Sequence, residues 1–508
     1  MTGARTTAAP TGRKKSAQGK ERSAAALGRA SSNTSSLEGA KEGAWSFIPL
    51  GELAADERNS ITDGPFGSKL KTEHYTDAGP RVIRLKNIGD AEFVDAKAHV
   101  SDAHFATLQK HRVFPGDIVI AALGENPPRS CLVPESLGPA IVKADCIRFK
   151  AGPRVLPKFL NYALNGPTLR HHAKAIIHGV GRPRLNLGEI KALPIPVPPL
   201  PEQRRIVAEI EKQFTRLEAG VAALRRVHAN LKRYRAAVLK AACEGRLVPT
   251  EAELHRNQKT KTAKFETGAE LLTLILTERR QTWQGRGQYK EPAALDTAKL
   301  FQLPAGWTWS TLDALAEIKG GITKDQNRQH TAPARSVPYL RVANVQRGYI
   351  DLTEVKEIVT TEDEIQELAL KPGDILFNEG GDRDKLGRGW VWNGELPECI
   401  HQNHVFRARL YVAALNPKLV SWYANTFGQK FFFDEGKHTT NLASISMSKL
   451  KGLPVPIPPP AEQTRIVAEV ERRLSVVEEL ESVVAANLQR AVRLRQSILQ
   501  KAFTGELR

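Results

Sequence analysis

The sequence predicts an α+β fold in which two mixed α/β domains are joined by two long helices that form an antiparallel coiled coil, giving a pseudo-twofold internal repeat. A segment of more than fifty residues occurs twice without a gap, at 193–247 and 453–507. Each copy opens with a proline run and continues into a heptad pattern. A mixed region, 45–193 or 304–452, precedes each copy. A duplication this long indicates two equivalent structural units.

Length, charge and cysteine content restrict the class of protein. The 508 residues exceed what one core supports, and 74 Lys and Arg against 55 Asp and Glu give a net charge of +19. This excess favours a polyanionic partner, nucleic acid before membrane, although a basic but inert surface remains an alternative. The four cysteines lie far apart, which predicts a reducing compartment. No apolar run suits a membrane span or a signal peptide, so we expect a cytoplasmic protein.

The first half of the chain divides into a tail, a mixed domain and a helix. Residues 1–44 carry eight basic and three acidic residues and little to bury, which predicts a disordered basic tail. Within 45–193 we predict buried strands at 82–85 and 117–122 and a helix over 157–164. The prolines of 194–201 exclude a helix there and predict a polyproline-like connector. The remainder of 194–250 predicts a helix whose heptad seam comprises Ile210, Phe214, Leu217, Val221, Leu224, His228 and Leu231.

The second half repeats this order. Residues 251–303 read as a polar linker with one short helix, and 304–452 as a second mixed domain. Segments 339–344 and 372–374 of that domain echo 82–87 and 115–117. Residues 453–508 repeat the proline connector and the helix, with the seam Val470, Leu474, Val477, Glu481, Val484, Leu488 and Ala491. Neither helix can bury its seam alone, so we expect them to pack on each other; two separate helical hairpins are the alternative.

No self-sufficient active site emerges from the sequence. Asn126-Pro-Pro-Arg129 resembles the motif that holds a flipped base in adenine methyltransferases, but Arg129 stands where an aromatic ring must stack, which favours a simple turn. The sequence contains no P-loop and no cluster with metal-ligand spacing. We therefore expect a non-catalytic chain with no cofactor and no metal.

The twin motifs identify a resemblance. Pro-x-Pro-Pro followed by Glu-Gln and Arg-Ile-Val, at 196–207 and 456–467, resembles the specificity subunits of type I restriction–modification systems, and the likeness spans 45–508. It implies that each mixed domain is a target recognition domain reading half of a bipartite, asymmetric DNA site. It also implies that the helices act as a spacer and dock two modification (adenine methyltransferase) subunits and two restriction (translocase and nuclease) subunits. S-adenosylmethionine, ATP and Mg²⁺ would then belong to those partners.

The resemblance fixes no base-reading residue, so the candidates follow from chemistry. Lys and Arg bind phosphates, Arg also reads guanine, and Asn or Gln reads adenine. In the first domain the DNA-binding candidates are Ser68, Lys69, Lys71, Arg84, Lys86, Asn87, Arg129, Arg182 and Arg184. In the second they are Lys319, Lys324, Arg341, Asn344, Arg383, Lys385, Arg388, Lys437, His438 and Thr439. For any one of these, a solvated surface side chain is the alternative.

The candidates for partner binding lie where the helices begin. They are Glu202, Gln203, Arg205, Glu209, Glu462, Gln463, Arg465 and Glu469. Ordinary i,i+4 pairing on a helix surface is an equally good reading of these charges. Two rival functions stay open at this stage: a fused restriction–methylation enzyme with an unrecognised active site, and a scaffold that grips proteins rather than DNA.

Overall fold

A computed structural model describes residues 45–124, 126–178, 183–257, 264–284, 287–323, 333–381, 386–438 and 443–507. These residues form two compact units. Unit 1 comprises 45–223 with 487–507, and unit 2 comprises 224–486. The predicted tail at 1–44 lies outside the described residues. In the described part of the chain, no helix is both long and apolar enough to cross a membrane.

Up to the first long helix, the chain forms short elements. The strands are β1 (Ser46–Pro49), β2 (Ile61–Asp63), β3 (Tyr75–Ile83), β4 (His99–Val100), β5 (Arg112–Val113), β6 (Ile118–Ala121), β7 (Arg129–Leu132), β8 (Ala140–Val142), β9 (Cys146–Phe149) and β10 (Pro194–Val197). The helices are α1 (Asp102–Thr107), α2 (Pro157–Leu164), α3 (Pro167–Lys174), α4 (Leu187–Lys191) and the long α5 (Leu200–Cys243). Single 3₁₀ turns occupy Leu50–Leu53, Gly67–Lys69, Thr72–His74, Leu85–Asn87, Gln109–His111 and Glu135–Leu137.

Beyond α5 the pattern resumes. The strands are β11 (Thr308–Thr311), β12 (Ala316–Lys319), β13 (Ala334–Leu340), β14 (Lys356–Thr361), β15 (Ile375–Asn378), β16 (Gly380–Gly381), β17 (Gly389–Val391), β18 (Ile400–His401), β19 (Val405–Leu410), β20 (Lys437–His438), β21 (Ala443–Ser444) and β22 (Pro454–Ile457). The helices are α6 (Glu251–Asn257), α7 (Gly268–Gln281), α8 (Leu312–Leu315), α9 (Glu362–Leu368), α10 (Pro417–Thr426), α11 (Gly428–Glu435), α12 (Met447–Lys451) and the long α13 (Pro460–Phe503).

The two units use the same strand order. In unit 1 an antiparallel sheet runs β2-β9-β6-β7, and a second sheet, β4-β3-β8-β5, joins β3 and β8 in parallel. In unit 2 the corresponding sheets run β12-β19-β15-β17 and β14-β13-β18, and β13 and β18 are again parallel. The echoes between the two mixed domains therefore mark equivalent strands, although most residues between those echoes differ.

The proline runs form strands rather than polyproline connectors. β10 pairs antiparallel with β1, and β22 pairs in the same way with β11. Each pair is a two-stranded sheet, so the prolines lie on an edge where a missing amide donor removes no bond that a further strand would need. The prediction that these segments are not helical is confirmed for Pro194–Val197 and Pro454–Ile457, but it was wrong for Leu200 and Pro201, which already belong to the first long helix.

The helix predicted inside a polar linker belongs to the core of unit 2. Leu271 and Ile275 of α7 are fully buried among the side chains of α8, β15 and β22. Gly268, at the start of α7, lies so close to the carbonyl of Ile457 that a Cβ would stand 2.1 Å from its oxygen. The sequence between 251 and 303 reads as polar because only one narrow face of α7 is apolar.

Both long helices bury the predicted seam residues, or hold them half-buried, more than their neighbours. In unit 1 the start of α5 packs on the end of α13, through a cluster containing Ile210, Phe214, Ile498 and Ala502. In unit 2 the end of α5 packs on the start of α13, through Val238, Ala242, Ile466 and Val470. The paired segments run in opposite chain directions within each unit. The polar seam residue Glu481 accepts a hydrogen bond from Arg235 at 3.1 Å.

Candidate nucleic-acid interface

Three loops meet at one edge of the antiparallel sheet in each unit. Loop A follows β2 or β12 (64–71 and 321–333), and loop B follows β6 or β15 (122–129 and 379–388). Loop C precedes α4 or α12 (178–185 and 437–445). We call their described parts the candidate edge. Gly64 and Gly321 open loop A where a Cβ would stand about 2 Å from the carbonyl oxygens of Lys143 and His401, so only glycine fits.

In unit 1, backbone bonds and side chains tie the loops together. The Gly124 amide of loop B donates to the Pro183 carbonyl of loop C at 3.1 Å. The Arg184 guanidinium of loop C lies 2.9 Å from the Asp145 carboxylate and 5.7 Å from the centre of the Phe66 ring in loop A. Asp145 directly precedes β9, and its carbonyl accepts the Ala122 amide at 2.9 Å.

Unit 2 repeats this backbone with different side chains. Gly380 in loop B pairs with Ser444 in loop C, and the Ile445 amide donates to the Glu379 carbonyl at 2.7 Å. His404 directly precedes β19, and its carbonyl accepts the Glu379 amide at 2.9 Å, as Asp145 does for Ala122. The His404 Nδ1 lies 2.6 Å from a Glu379 carboxylate oxygen. An arginine–aspartate pair in one unit thus corresponds to a histidine–glutamate pair in the other.

Eight of the fourteen predicted DNA-binding residues that the structure describes fall on these loops. In unit 1 they are Ser68, Lys69, Lys71, Arg129 and Arg184, and in unit 2 they are Arg388, Lys437 and His438. Arg129 and Arg388 occupy equivalent positions, each beside the first residue pair of β7 or β17. The Arg388 guanidinium donates to the Val342 carbonyl at 3.2 Å. Arg182, Lys324, Arg383, Lys385 and Thr439 lie outside the described residues.

The side chains of Asn87 and Asn344 are buried and hydrogen-bond to the backbone of their own loops. The Asn87 side chain accepts from the Arg84 amide and donates to the carbonyls of Val94 and Ala96 at 2.8 and 2.9 Å. Asn344 makes the same bonds, accepting from the Arg341 amide and donating to the carbonyls of Asp351 and Glu354. Both are 1–2% exposed. A buried amide whose hydrogen bonds are satisfied cannot contact a base edge, so we remove both residues from the DNA-binding candidates.

The remaining predicted residues that the structure describes do not belong to the three loops. The guanidinium of Arg84 donates to the Lys97 carbonyl at 2.8 Å, and that of Arg341 to the Glu354 carbonyl at 3.2 Å. Lys319 pairs with Glu367 at 2.6 Å. Lys86 is exposed on its 3₁₀ turn. The two arginines therefore serve the same loops that the buried asparagines hold.

Asp117 and Asp374 are also internal. They are the equivalent aspartates of the two Pro-Gly-Asp segments, at 115–117 and 372–374. Asp117 accepts from the buried Arg148 at 2.6 Å. Asp374 accepts two bonds from Arg409, both at 2.7 Å. The equivalent of Arg148 in unit 2 is Arg407, which pairs with Glu317 at 3.0 Å instead. These carboxylates are paired inside the fold.

A basic depression of about 390 Å³ lies beside loop A of unit 1. Its lining includes Arg84, Lys97 and Lys143 together with hydroxyl groups, but no carboxylate; the hydroxyls belong to Thr72, Tyr75 and Thr76. A larger depression, of about 470 Å³, contains Lys150 and Arg148, but Glu57 lies among them and pairs with Lys150 at 2.7 Å. The first depression is the better anion site because its cations are not neutralised by a carboxylate in its lining.

Neither metal ligands nor activated thiols appear in the described part of the chain. No group of three or more His, Cys, Asp or Glu side chains there could hold a metal ion. All four cysteines are buried and free. Burial raises the pKa of the Cys131, Cys243 and Cys399 thiols to about 12, and also raises that of Cys146. The nucleophilic thiolate is therefore strongly disfavoured.

Comparisons with known proteins agree with this architecture. A family model described as the type I restriction modification DNA specificity domain matches residues 82–223. The chain is 24% identical over 439 residues to the type I restriction enzyme EcoKI specificity subunit of Escherichia coli (strain K12), covering 84% of this chain and 82% of that one. The chain is therefore similar to the specificity subunits of type I restriction–modification systems along most of its length.

Two further similarities extend over most of the chain. The EcoBI specificity subunit of Escherichia coli is 23% identical over 470 residues, covering 90% of this chain and 85% of the relative. A solved structure entitled as the basis of complex assembly and conformational transition of the type I R-M system aligns with a TM-score of 0.56 at 20% identity, covering 91% of this chain and 98% of that chain. The last likeness concerns the fold alone.

The Glu-Gln motif, which carried the family resemblance, fixes the start of each long helix. Gln203 accepts from the Leu156 amide at 2.8 Å and donates to the carbonyls of Arg154 and Pro198. Gln463 likewise accepts from the Asn416 amide at 2.9 Å and donates to the Pro458 carbonyl. Both glutamines are buried, so they join helix to domain within the chain and are not available to a partner.

The glutamates of the motif have diverged. Glu202 is partly exposed and pairs with Arg205 at 2.8 Å, which lowers the Glu202 pKa. Glu462 is fully buried, where it accepts from the Trp307 indole at 2.9 Å and from the Glu251 amide at 3.0 Å. Burial raises the pKa of Glu462 despite those bonds. A single sequence motif thus gives one solvated and one buried carboxylate.

The other predicted partner-binding charges pair within the chain. Arg205 also donates to the Leu507 carbonyl at 3.3 Å, and Arg465 pairs with Glu251. Glu209 pairs with Lys212 at 3.0 Å, and Glu469 with Arg472 and Arg473, which lower its pKa to about 2. For Glu209 and Glu469 this is helix-surface pairing at i,i+3 and i,i+4.

Sequence reasoning missed four residues on or beside the candidate edge: Phe66, Asp145, Glu379 and His404. Base and phosphate chemistry favoured basic and amide side chains as candidates. Only the fold places the carboxylates of Asp145 and Glu379 beside Arg184 and His404. One signal was available. Asp145 and His404 each come directly before a strand that aligns between the two domains, at the point where the sequences diverge.

Proposed function

We propose that the chain is the DNA sequence-specificity subunit of a type I restriction–modification complex and reads a bipartite, asymmetric site. The observation that carries the proposal is the candidate edge, which occurs once in each unit on the same strand order with different side chains. Two readers that share one backbone but differ in chemistry suit two different half-sites.

Charge supports double-stranded DNA as the ligand. The net charge of +19 favours a polyanion, and the basic depression of unit 1 offers Arg84, Lys97 and Lys143 beside loop A. Lys69 and Lys71, exposed on loop A, continue this basic surface. Phosphate contacts at these positions would fix the register, while loops B and C face the base edges.

The long helices are proposed as an antiparallel coiled coil with pseudo-twofold symmetry that spaces the two readers and docks the partner subunits. The opposed helix segments in each unit support the coiled coil. Val476 and Leu480, one turn apart on α13, are 49% and 44% exposed, and Val227 and Tyr234 on α5 are similarly exposed. Exposed apolar side chains at helical spacing suit a partner helix better than solvent.

The proposed partners are two modification subunits and two restriction subunits, which bring S-adenosylmethionine, ATP and Mg²⁺. Catalysis is assigned to them and not to this chain, and the complex is placed in the cytoplasm with its DNA. The family of named specificity subunits supports this division of labour.

The test is to express the chain with its modification partner in a methylation-free host and to map N6-methyladenine genome-wide. We expect one bipartite, asymmetric motif, absent when either protein is omitted. Methyl transfer by the purified chain alone would instead favour a fused enzyme. Absence of sequence-dependent DNA binding by the assembled complex would favour a protein scaffold.

A further inference from the structure

We infer that the pairs Arg184–Asp145 in unit 1 and His404–Glu379 in unit 2 determine which base each unit reads at one equivalent position of its half-site. The inference rests on the proposed function and adds to it a chemical class of base for each unit. Arg184 interacts with guanine, and the His404–Glu379 pair accepts the exocyclic amino group of adenine or cytosine.

Equivalence of the two pairs follows from the backbone. Asp145 and His404 both directly precede the strand that pairs with β6 or β15, and both accept the amide of the first residue of loop B at 2.9 Å. The residue across loop C is Arg184 in unit 1 and Ser444 in unit 2. Ser444 carries no charge, and His404 pairs instead with Glu379 on loop B. The same place in the fold therefore holds opposite chemistry.

In unit 1 the pair presents hydrogen-bond donors. Asp145 holds one side of the Arg184 guanidinium at 2.9 Å, and the Phe66 ring lies against the group at 5.7 Å. The Arg184 side chain is still 48% exposed, so its remaining N–H groups are accessible to a ligand. A guanidinium held in this way matches the O6 and N7 acceptors of guanine in the major groove.

In unit 2 the pair presents acceptors. A Glu379 oxygen lies 2.6 Å from His404 Nδ1, so Nδ1 donates to that oxygen and the second Glu379 oxygen is left as an acceptor. The His404 side chain is 56% exposed and that of Glu379 is 29% exposed, so both are accessible to a base. Such acceptors bind the amino groups of cytosine or adenine and repel the carbonyl oxygens of guanine and thymine.

A carboxylate at a DNA-binding edge is costly because phosphates repel it, so its presence calls for a role. Both carboxylates are paired with a neighbouring side chain that is itself about half exposed. Ion pairs of similar exposure also occur away from the three loops: Lys158 with Glu211 and Lys418 with Glu471 link a domain helix to a long helix at equivalent positions, and they serve as controls.

The experiment maps N6-methyladenine in cells that express the modification partner with Arg184→Gln, Glu379→Gln or His404→Gln chains. We expect Arg184→Gln to lower discrimination for guanine about tenfold or more at one position of one half-site, leaving the other half-site unchanged. Glu379→Gln and His404→Gln should relax discrimination at one position of the other half-site. The matched controls Lys158→Gln and Lys418→Gln should leave the whole motif unchanged.

The outcomes separate the inference from the proposed function. If the unsubstituted chain directs no bipartite motif, the proposed function fails. If it does, but all three edge variants methylate an unaltered motif or lose both halves equally, the inference is overturned. The affinity of each assembled variant for non-specific DNA is measured alongside. For Glu379→Gln and His404→Gln this affinity should match that of the unsubstituted complex, because a loss of fold would lower the non-specific affinity together with the discrimination.

Discussion

Units 1 and 2 share their buried polar bonds and differ at their edges. Asn87 and Asn344 make the same three hydrogen bonds, and Gln203 and Gln463 close the same helix starts. At the meeting point of the loops, however, an arginine–aspartate pair stands in one unit and a histidine–glutamate pair in the other. Interior positions are restricted because an unsatisfied buried group is expensive, whereas exposed pairs change at little cost in stability.

The buried ion pair of the Pro-Gly-Asp motif gives the largest expected effect. Asp117→Ala should destabilise unit 1 by about 3–5 kcal/mol because it leaves the Arg148 charge, whose side chain is 6% exposed, without its closest partner. Asp374→Ala should cost less, since Arg409 is 29% exposed and can reach water. Hydrogen exchange of peptides from β6 and β15 in the full chain measures both. Equal loss of protection in the two units would contradict this difference.

Substitution of either buried asparagine should destabilise its own unit to a similar extent. Asn87→Ala and Asn344→Ala each remove three hydrogen bonds from a buried loop, at a cost of about 2–4 kcal/mol in their own unit. Hydrogen exchange of 82–96 and 339–354 measures the loss, and the exposed neighbour Lys86→Ala is the control. A changed methylation motif without a loss of protection from hydrogen exchange would instead return both residues to the DNA-binding candidates.

The basic depression should contribute affinity without specificity. Lys97→Ala and Lys143→Ala should each weaken DNA binding by the assembled complex for every sequence, and each should reduce the slope of log affinity against log salt by about 1. Lys150→Ala is the matched control, because that ammonium already pairs with Glu57. A slope unchanged in both test variants would remove the depression from the DNA-binding surface.

The smallest expected effect is a difference in pH response between the two helix starts. The Glu202 pKa is lowered by Arg205, so its stabilisation is present above the unfolded pKa and is lost as pH falls through the folded value. The Glu462 pKa is raised by burial, so its contribution is most favourable at low pH and is lost as pH rises.

Denaturation midpoints from roughly pH 2 to 7, which bracket one carboxyl pKa below and one above the ordinary glutamate value, test this difference. Relative to the unsubstituted chain, Glu202→Gln should lose its destabilising effect towards the acid end. Glu462→Gln should gain relative stability towards neutral pH. Parallel curves for the two variants would contradict the assignment of one solvated and one buried carboxylate.

Much of the fold was predictable because the duplication carries it. The seam positions of both helices, the strand at 118–121 and the helix at 157–164 follow from apolar periodicity, which burial imposes directly on a sequence. The proline runs were predicted as connectors and form strands, because pairing with a distant segment at 46–49 or 308–311 leaves no local signal. For the same reason, one apolar face on α7 did not reveal its place in the core of unit 2.

The candidate edge was predictable only in part. Loops rich in glycine and basic residues pointed to Lys69, Arg129, Arg184 and Arg388, which the structure places on the same three loops. Asn87 and Asn344 looked like base readers because side-chain type says nothing about burial. Asp145 and His404 carried only the signal of their position before an aligned strand, and Glu379 carried none, since the role of each depends on a partner that the sheet brings close.

By itself the sequence determined the repeated order of elements, the two long helices, the basic charge and the family resemblance, because repetition and periodicity are properties of the chain's order. Only the tertiary structure decided which polar groups are spent inside and which remain at the surface. That decision depends on hydrogen bonds between residues far apart in the chain, such as Gln203 with Arg154 and Asn87 with Val94 and Ala96. A buried polar group must be satisfied where it lies, and the fold alone sets that place.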